Sequence, residues 1–124
     1  MKMQESPEDH LETIYMLSLH SSEVRSIDVA RHLGYSKPSV SVAMKNLREK
    51  EHIKVDEQGF IHLTPSGLEI ANMIYERHTL LSSWLIHLGV PADVAAADAC
   101  KMEHVISKES FEAIKRHVYE NKEV

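Results

Sequence analysis

From Arg25 to Leu63 the chain runs helix, glycine turn, serine-capped helix and short hairpin, an order that few folds accommodate. Ser26 to Leu33 is a short amphipathic run stopped by Gly34, a residue suited to the left-handed conformation that closes a helix. Ser36-Lys37-Pro38-Ser39 opens a second helix, with a serine oxygen for the free amides and a proline in the first turn. Val40, Met44 and Leu47 carry that helix to about Lys50 at core-facing spacing. Two helices joined through a short glycine-containing turn match the helix-turn-helix pattern. His52 to Val55 and Phe60 to Leu63 are β-prone runs around Asp56-Glu57-Gln58-Gly59, which predicts a hairpin. A hairpin directly after a helix-turn-helix is a wing.

The flanking segments are helical. Ser6-Pro7-Glu8-Asp9 has the cap, early proline and first-turn acids of a helix start, and Leu11, Ile14, Tyr15 and Leu17 continue it to a polar connector over Ser18 to Ser22. Thr64-Pro65-Ser66-Gly67 launches a long helix to about Leu88, which Gly89 and Pro91 end. Two more helices are expected, over about Ala92 to Ile106 and Ser107 to Asn121, with Lys122 to Val124 fraying. The expected fold class is mainly α with a small β-hairpin wing. The expected organisation is a winged helix-turn-helix over residues 1–71 followed by a helical domain over residues 72–124.

Net charge alone misleads. The 124-residue chain carries a formal charge of -5. Between Arg25 and Lys50, however, six basic residues face two acids, a local +4, and the remainder of the chain sums to -9. Phosphate attraction is local, set within about one Debye length, so a basic block at a helix-turn-helix is a footprint of double-stranded DNA. A reading helix places short polar side chains near base edges and cations near phosphates. Ser36, Lys37, Pro38, Ser39 and Ser41 form the N-terminal end of that helix, with Arg25, Lys45 and Arg48 as further cations. Its first turn lacks an Arg, Asn or Gln for a two-point base contact, so readout is expected to use hydroxyls, methyl contacts and DNA shape.

A second group of residues lies outside the DNA reader. Asp9 and Glu12 share one face of the first helix by i, i+3 spacing, a face expected to point away from Leu11 and Ile14. Cys100, Glu103 and His104 share a face of a later helix, and His78 sits mid-way along the long one. Taken singly, each is an ordinary solvated or core residue. Together, oxygen, nitrogen and sulfur donors on three helices suit a divalent first-row metal, whereas Ca²⁺ would ask for oxygen alone. The other histidines show no comparable spacing, and the side chain of His10 is expected to point away from its neighbour Asp9. Leu80, Leu81, Trp84 and Leu85 are expected in core or interface packing, and Met44, Met73 and Met102 in core gaps.

Three motifs carry a family resemblance: Glu8-Asp9-His10-Leu11-Glu12-Thr13-Ile14-Tyr15, then Arg77-His78, then Cys100-Lys101-Met102-Glu103-His104-Val105-Ile106-Ser107. With the winged helix, they make the chain resemble the diphtheria-toxin-repressor family of metal-dependent regulators, in particular its shorter manganese-regulator branch. The resemblance implies metal ligation at Asp9, Glu12, His78, Glu103 and His104, with up to two ions bridged by carboxylates. It also implies a homodimer joined by the C-terminal helices, and repression of metal-uptake genes when the metal is bound. A sixth ligand in the manganese branch is Glu where this chain has Cys100. The iron branch has Cys there, but Met at the position of Asp9 and a Glu at that of Ser82. This sequence is a hybrid. Thiolate favours Fe²⁺ over Mn²⁺, while Asp9 and Glu12 keep Mn²⁺ acceptable; Co²⁺, Ni²⁺ or Zn²⁺ would substitute in vitro.

Other classes fit less well. A winged-helix regulator that senses an organic ligand would leave the polar cluster purely structural. A metal-dependent hydrolase would need a substrate pocket and a motif such as HExxH, which the sequence lacks. No apolar run approaches the roughly 20 residues of a membrane span, and the first ten residues lack the apolar core of a signal peptide. The expectation is a cytoplasmic regulator with no membrane partner, no organic substrate and no enzymatic activity.

Overall fold

The computed structural model describes residues 7–121. The predicted Ser6 cap and the fraying of Lys122 to Val124 lie outside them. Six helices and one antiparallel hairpin follow in the order α1 (Pro7–Ser18), α2 (Ser26–Leu33), α3 (Lys37–Glu49), β1 (Ile53–Val55), β2 (Ile61–Leu63), α4 (Pro65–His87), α5 (Ala92–Val105) and α6 (Lys108–Glu120). The chain divides into two compact units, Met1–Asn72 and Met73–Val124.

The first unit is a winged helix-turn-helix. Its core gathers Leu11 and Ile14 of α1, Val29 and Ala30 of α2, Val40, Met44 and Leu47 of α3, and Ile53 and Ile61 of the hairpin. These sit at 3.6-residue spacing on the helices and open each strand, so one apolar stripe per element closes the core. Gly34 ends α2 in the left-handed region at φ 73°, and its amide donates to the Ala30 carbonyl at 2.8 Å. That sharp stop turns the chain into α3 within two residues. Ser36 caps α3, its oxygen accepting from the Ser39 amide at 3.3 Å.

Strand register pairs Ile53 with Leu63, Lys54 with His62 and Val55 with Ile61. The turn is held by Asp56, whose Oδ1 accepts from the amides of Gln58 (3.0 Å) and Phe60 (2.9 Å). Its Oδ2 lies 2.9 Å from His62 Nε2. On the far side of β2, the Ile61 amide donates to the Val24 carbonyl at 2.7 Å, so the α1–α2 connector pairs with the wing. The start of α4 docks on the residues leading into β1. Thr64 Oγ1 donates to the Glu51 carbonyl at 2.7 Å, and the Thr64 amide donates to the His52 carbonyl at 3.1 Å.

The second unit comprises the rest of α4 with α5 and α6. Leu80, Leu81, Ala99, Phe111 and Val118 form its buried core, with Trp84, Met102, Ile106 and Ile114 packed against them. From α5, Ala99 enters that core and Met102 packs against it, and Ala95 is likewise fully buried. Ser107 caps α6, accepting from the Ser110 amide at 3.0 Å. Lys115 Nζ and Glu76 Oε2, 2.6 Å apart, tie α6 to α4. Met73, expected to fill a core gap, is instead 39% exposed.

Candidate nucleic-acid interface and metal centre

The outward face of α3 is assembled by exclusion. Val40, Met44 and Leu47 turn inward, leaving Lys37, Pro38, Ser41, Lys45 and Arg48 exposed and Ser39 half-buried. Ser36 is exposed, but its hydroxyl donates to Ser39 Oγ at 3.0 Å as well as capping the helix. Sequence reasoning passed over two residues of this face, Val42 and Asn46. Val42 is 61% exposed, an unusual position for a β-branched apolar side chain on a helix. Its i, i+4 spacing from Pro38 would have pointed to it. Arg25 lies at the start of α2 with its guanidinium carbon 4.6 Å from the centroid of the Phe60 ring, a cation–π contact that joins helix to wing. An open groove of about 700 Å³ beside α3 has Arg48 and Lys54 among its lining residues.

In the second unit the donor groups converge. Cys100, Glu103 and His104 of α5 each offer one ligand atom within 4.8 Å of the others, and Glu103 is equally close to His78 of α4. Glu103 is fully buried. Neither of its carboxylate oxygens has a hydrogen-bond partner among the described residues. His78 Nδ1 lies 3.5 Å from Glu103 Oε2, and His104 Nε2 lies 3.6 Å from Oε1. Burying a carboxyl group without donors is costly. The contacts it does have are two histidine ring nitrogens at 3.5 and 3.6 Å, a separation that two ligands of a shared ion can adopt. The donor set fits a divalent first-row metal.

The first unit carries two buried acids of its own. Asp9 and Glu12 of α1 are 5% and 8% exposed. α1 buries every residue from Asp9 to Ile14, polar and apolar alike. His10 is likewise buried, its ring 5.8 Å from that of Tyr35 and tilted by 46°.

Comparison with known proteins agrees with both halves of this description. Residues 2–63 match the family model of the iron dependent repressor N-terminal DNA binding domain, and residues 64–123 match that of the iron dependent repressor metal binding and dimerisation domain. The chain is 35% identical over 106 residues to the transcriptional regulator MntR of Salmonella typhimurium, covering 86% of this chain and 68% of that protein. It is 30% identical over 115 residues to an HTH-type transcriptional regulator of Methanocaldococcus jannaschii, covering 91% of this chain and 92% of that one. The solved structure of the manganese regulator SloR superposes with a TM-score of 0.83 at 29% identity, over 92% of this chain. This chain spans 54% of the SloR chain, about half its length. A winged helix-turn-helix with a convergent donor cluster in the helical unit, matched end to end by the two family models, places this chain in the iron-dependent repressor family of metal-dependent transcriptional regulators.

Proposed function

We propose that the chain is a DNA-binding transcriptional regulator controlled by a divalent metal, repressing metal-uptake genes when the ion is bound. The observation that carries this reading is Glu103, a fully buried carboxylate without a hydrogen-bond donor, flanked by two histidine nitrogens and by Cys100. When bound, the ion supplies positive charge that offsets the buried carboxylates and a coordination shell shared among them.

Within this scheme His78 presents Nδ1, His104 presents Nε2, and Glu103 presents one oxygen toward each. Cys100 adds a soft donor, while Asp9 and Glu12 complete the ligand set with oxygens. Thiolate tilts the site toward Fe²⁺, and the carboxylates keep Mn²⁺ competitive; one or two ions per subunit are compatible with six donors. With Asp9 and Glu12 in the ligand set of this scheme, ion binding and the placement of α3 become coupled equilibria. Each subunit of a homodimer would offer α3 to one half-site of a double-stranded operator, with Arg25, Ser36, Lys37, Pro38, Ser39, Ser41, Lys45 and Arg48 at the interface. The C-terminal unit is suited to dimerisation by the exposed Ile86, Leu88, Val94 and Val105. Among the described residues no helix is long and apolar enough to cross a membrane. The site regulates rather than catalyses, and acts in the cytoplasm, where the operator is.

Fluorescence anisotropy on operator DNA, with Mn²⁺ or anaerobic Fe²⁺ titrated, tests the scheme. Glu12→Ala and His78→Ala are expected to abolish metal-stimulated binding while the dimer persists in size-exclusion chromatography. Metal-dependent affinity left unchanged in both variants would contradict it.

A further inference from the structure

Arg77 is only 9% exposed, yet its charge meets no carboxylate among its hydrogen bonds. Its Nη1 donates instead to two backbone carbonyls, Glu103 O and Ile106 O, each at 3.0 Å. The guanidinium carbon lies 5.4 Å from the Phe111 ring centroid, so one side chain of α4 grips the end of α5 and rests on α6.

The end of an α-helix leaves its last carbonyls without intrahelical partners. The usual solution is a left-handed glycine, as Gly34 provides for α2. Helix α5 lacks one: its C-cap is Ile106, in extended conformation at φ -76° and ψ 138°. A buried guanidinium from another helix holds these carbonyls instead, although desolvating it is costly and its Nε finds no partner among the described residues. Capping alone explains this poorly. The gain is in which carbonyl is held, because it belongs to Glu103 and sits one peptide from His104.

We infer that Arg77 is a positioning residue for the metal centre: by gripping the Glu103 and Ile106 carbonyls, it fixes the direction in which Glu103 and His104 present their ligand atoms. The inference rests on the metal reading above. Outer groups that orient ligands govern metal affinity as well as stability, and their loss costs on the order of 10- to 100-fold in affinity. Arginine is suited to the task because its planar group can stack on Phe111 while donating along its edge.

Co²⁺ titration of the full chain, followed by visible absorption, tests it, since band positions report ligand geometry. Arg77→Gln is expected to weaken Co²⁺ binding by about 10- to 100-fold and shift the bands. Arg77→Lys, which keeps the charge but not the planar edge, is expected to fall between Arg77→Gln and the unaltered chain. Lys115→Met, which breaks the Glu76–Lys115 pair elsewhere in the same unit, serves as control for general loosening and should leave the bands in place. A folded Arg77→Gln with unaltered affinity and bands overturns the inference, as does an effect no larger than that of Lys115→Met. Should Arg77→Gln not fold, Arg77→Lys decides: shifted bands support the inference, unaltered ones overturn it. Failure of the unaltered chain to bind Co²⁺ would instead overturn the metal reading itself.

Discussion

The backbone carbonyl of His52 occupies the space that a β-carbon on Gly67 would need. Gly67 is inside the first turn of α4, where alanine would ordinarily gain about 1 kcal/mol over glycine. Here the obstacle is backbone, and the same carbonyl accepts from the Thr64 amide, so it has little freedom to retreat. Gly67→Ala is expected to destabilise the winged unit by about 1–3 kcal/mol. Urea denaturation monitored by circular dichroism checks this, and a stability equal to or above the parent's would refute the steric account.

Glu103 supports a prediction of opposite sign. Its carboxyl is fully buried and lacks hydrogen-bond donors among the described residues, so without metal it should burden the fold. Replacing buried charge with an apolar side chain of similar volume is often stabilising, by about 1–4 kcal/mol. Glu103→Met is expected to raise the melting temperature measured in chelator and to eliminate the further rise on adding Mn²⁺ or Co²⁺. A variant that melts lower than the parent in chelator would mean that the carboxyl serves the fold, not a ligand.

Asp56 gives the wing a pH dependence. The hydrogen bond from His62, then the amides of Phe60 and Gln58, hold its carboxyl below the ordinary 3.8, against a smaller opposing effect of burial. A lowered acid contributes stability that is complete above its unfolded value and is lost as pH falls through the folded one. The wing turn should therefore remain intact down to 3.8 and loosen only below it. The amide chemical shifts of Gln58 and Phe60, followed by NMR through an acid titration, should inflect below that value. An inflection at or above it would remove the role assigned to the His62 contact.

How far the sequence speaks for itself varies with the physics involved. Helix starts and stops were legible because caps are local: the Gly34 amide donates to Ala30, and the Ser36 oxygen accepts from Ser39, each within four residues. The strands came out one residue shorter at their starts than expected, since His52 belongs to the turn before β1 and Phe60 to the turn between the strands. Local periodicity failed on α1, where Asp9, His10 and Glu12 are as buried as Leu11 and Ile14. From Asp9 to Ile14 no exposed polar residue marks a solvent face. The candidate donor residues were visible from spacing, but the isolation of the Glu103 carboxylate was not. Nor were the bonds of Arg77, which reach carbonyls 26 and 29 residues away. Side chain to backbone bonds at that separation leave no trace in composition or period.

The pairing of the Ile61 amide with the Val24 carbonyl also bears on strand addition between molecules. It occupies the second edge of β2, leaving β1 as the hairpin's open margin. That margin is three residues long with the exposed Lys54 at its centre. Short, lysine-bearing edges are poor templates for strand addition between molecules. The wing can thus project from the winged unit without recruiting its own copies into a continuous sheet.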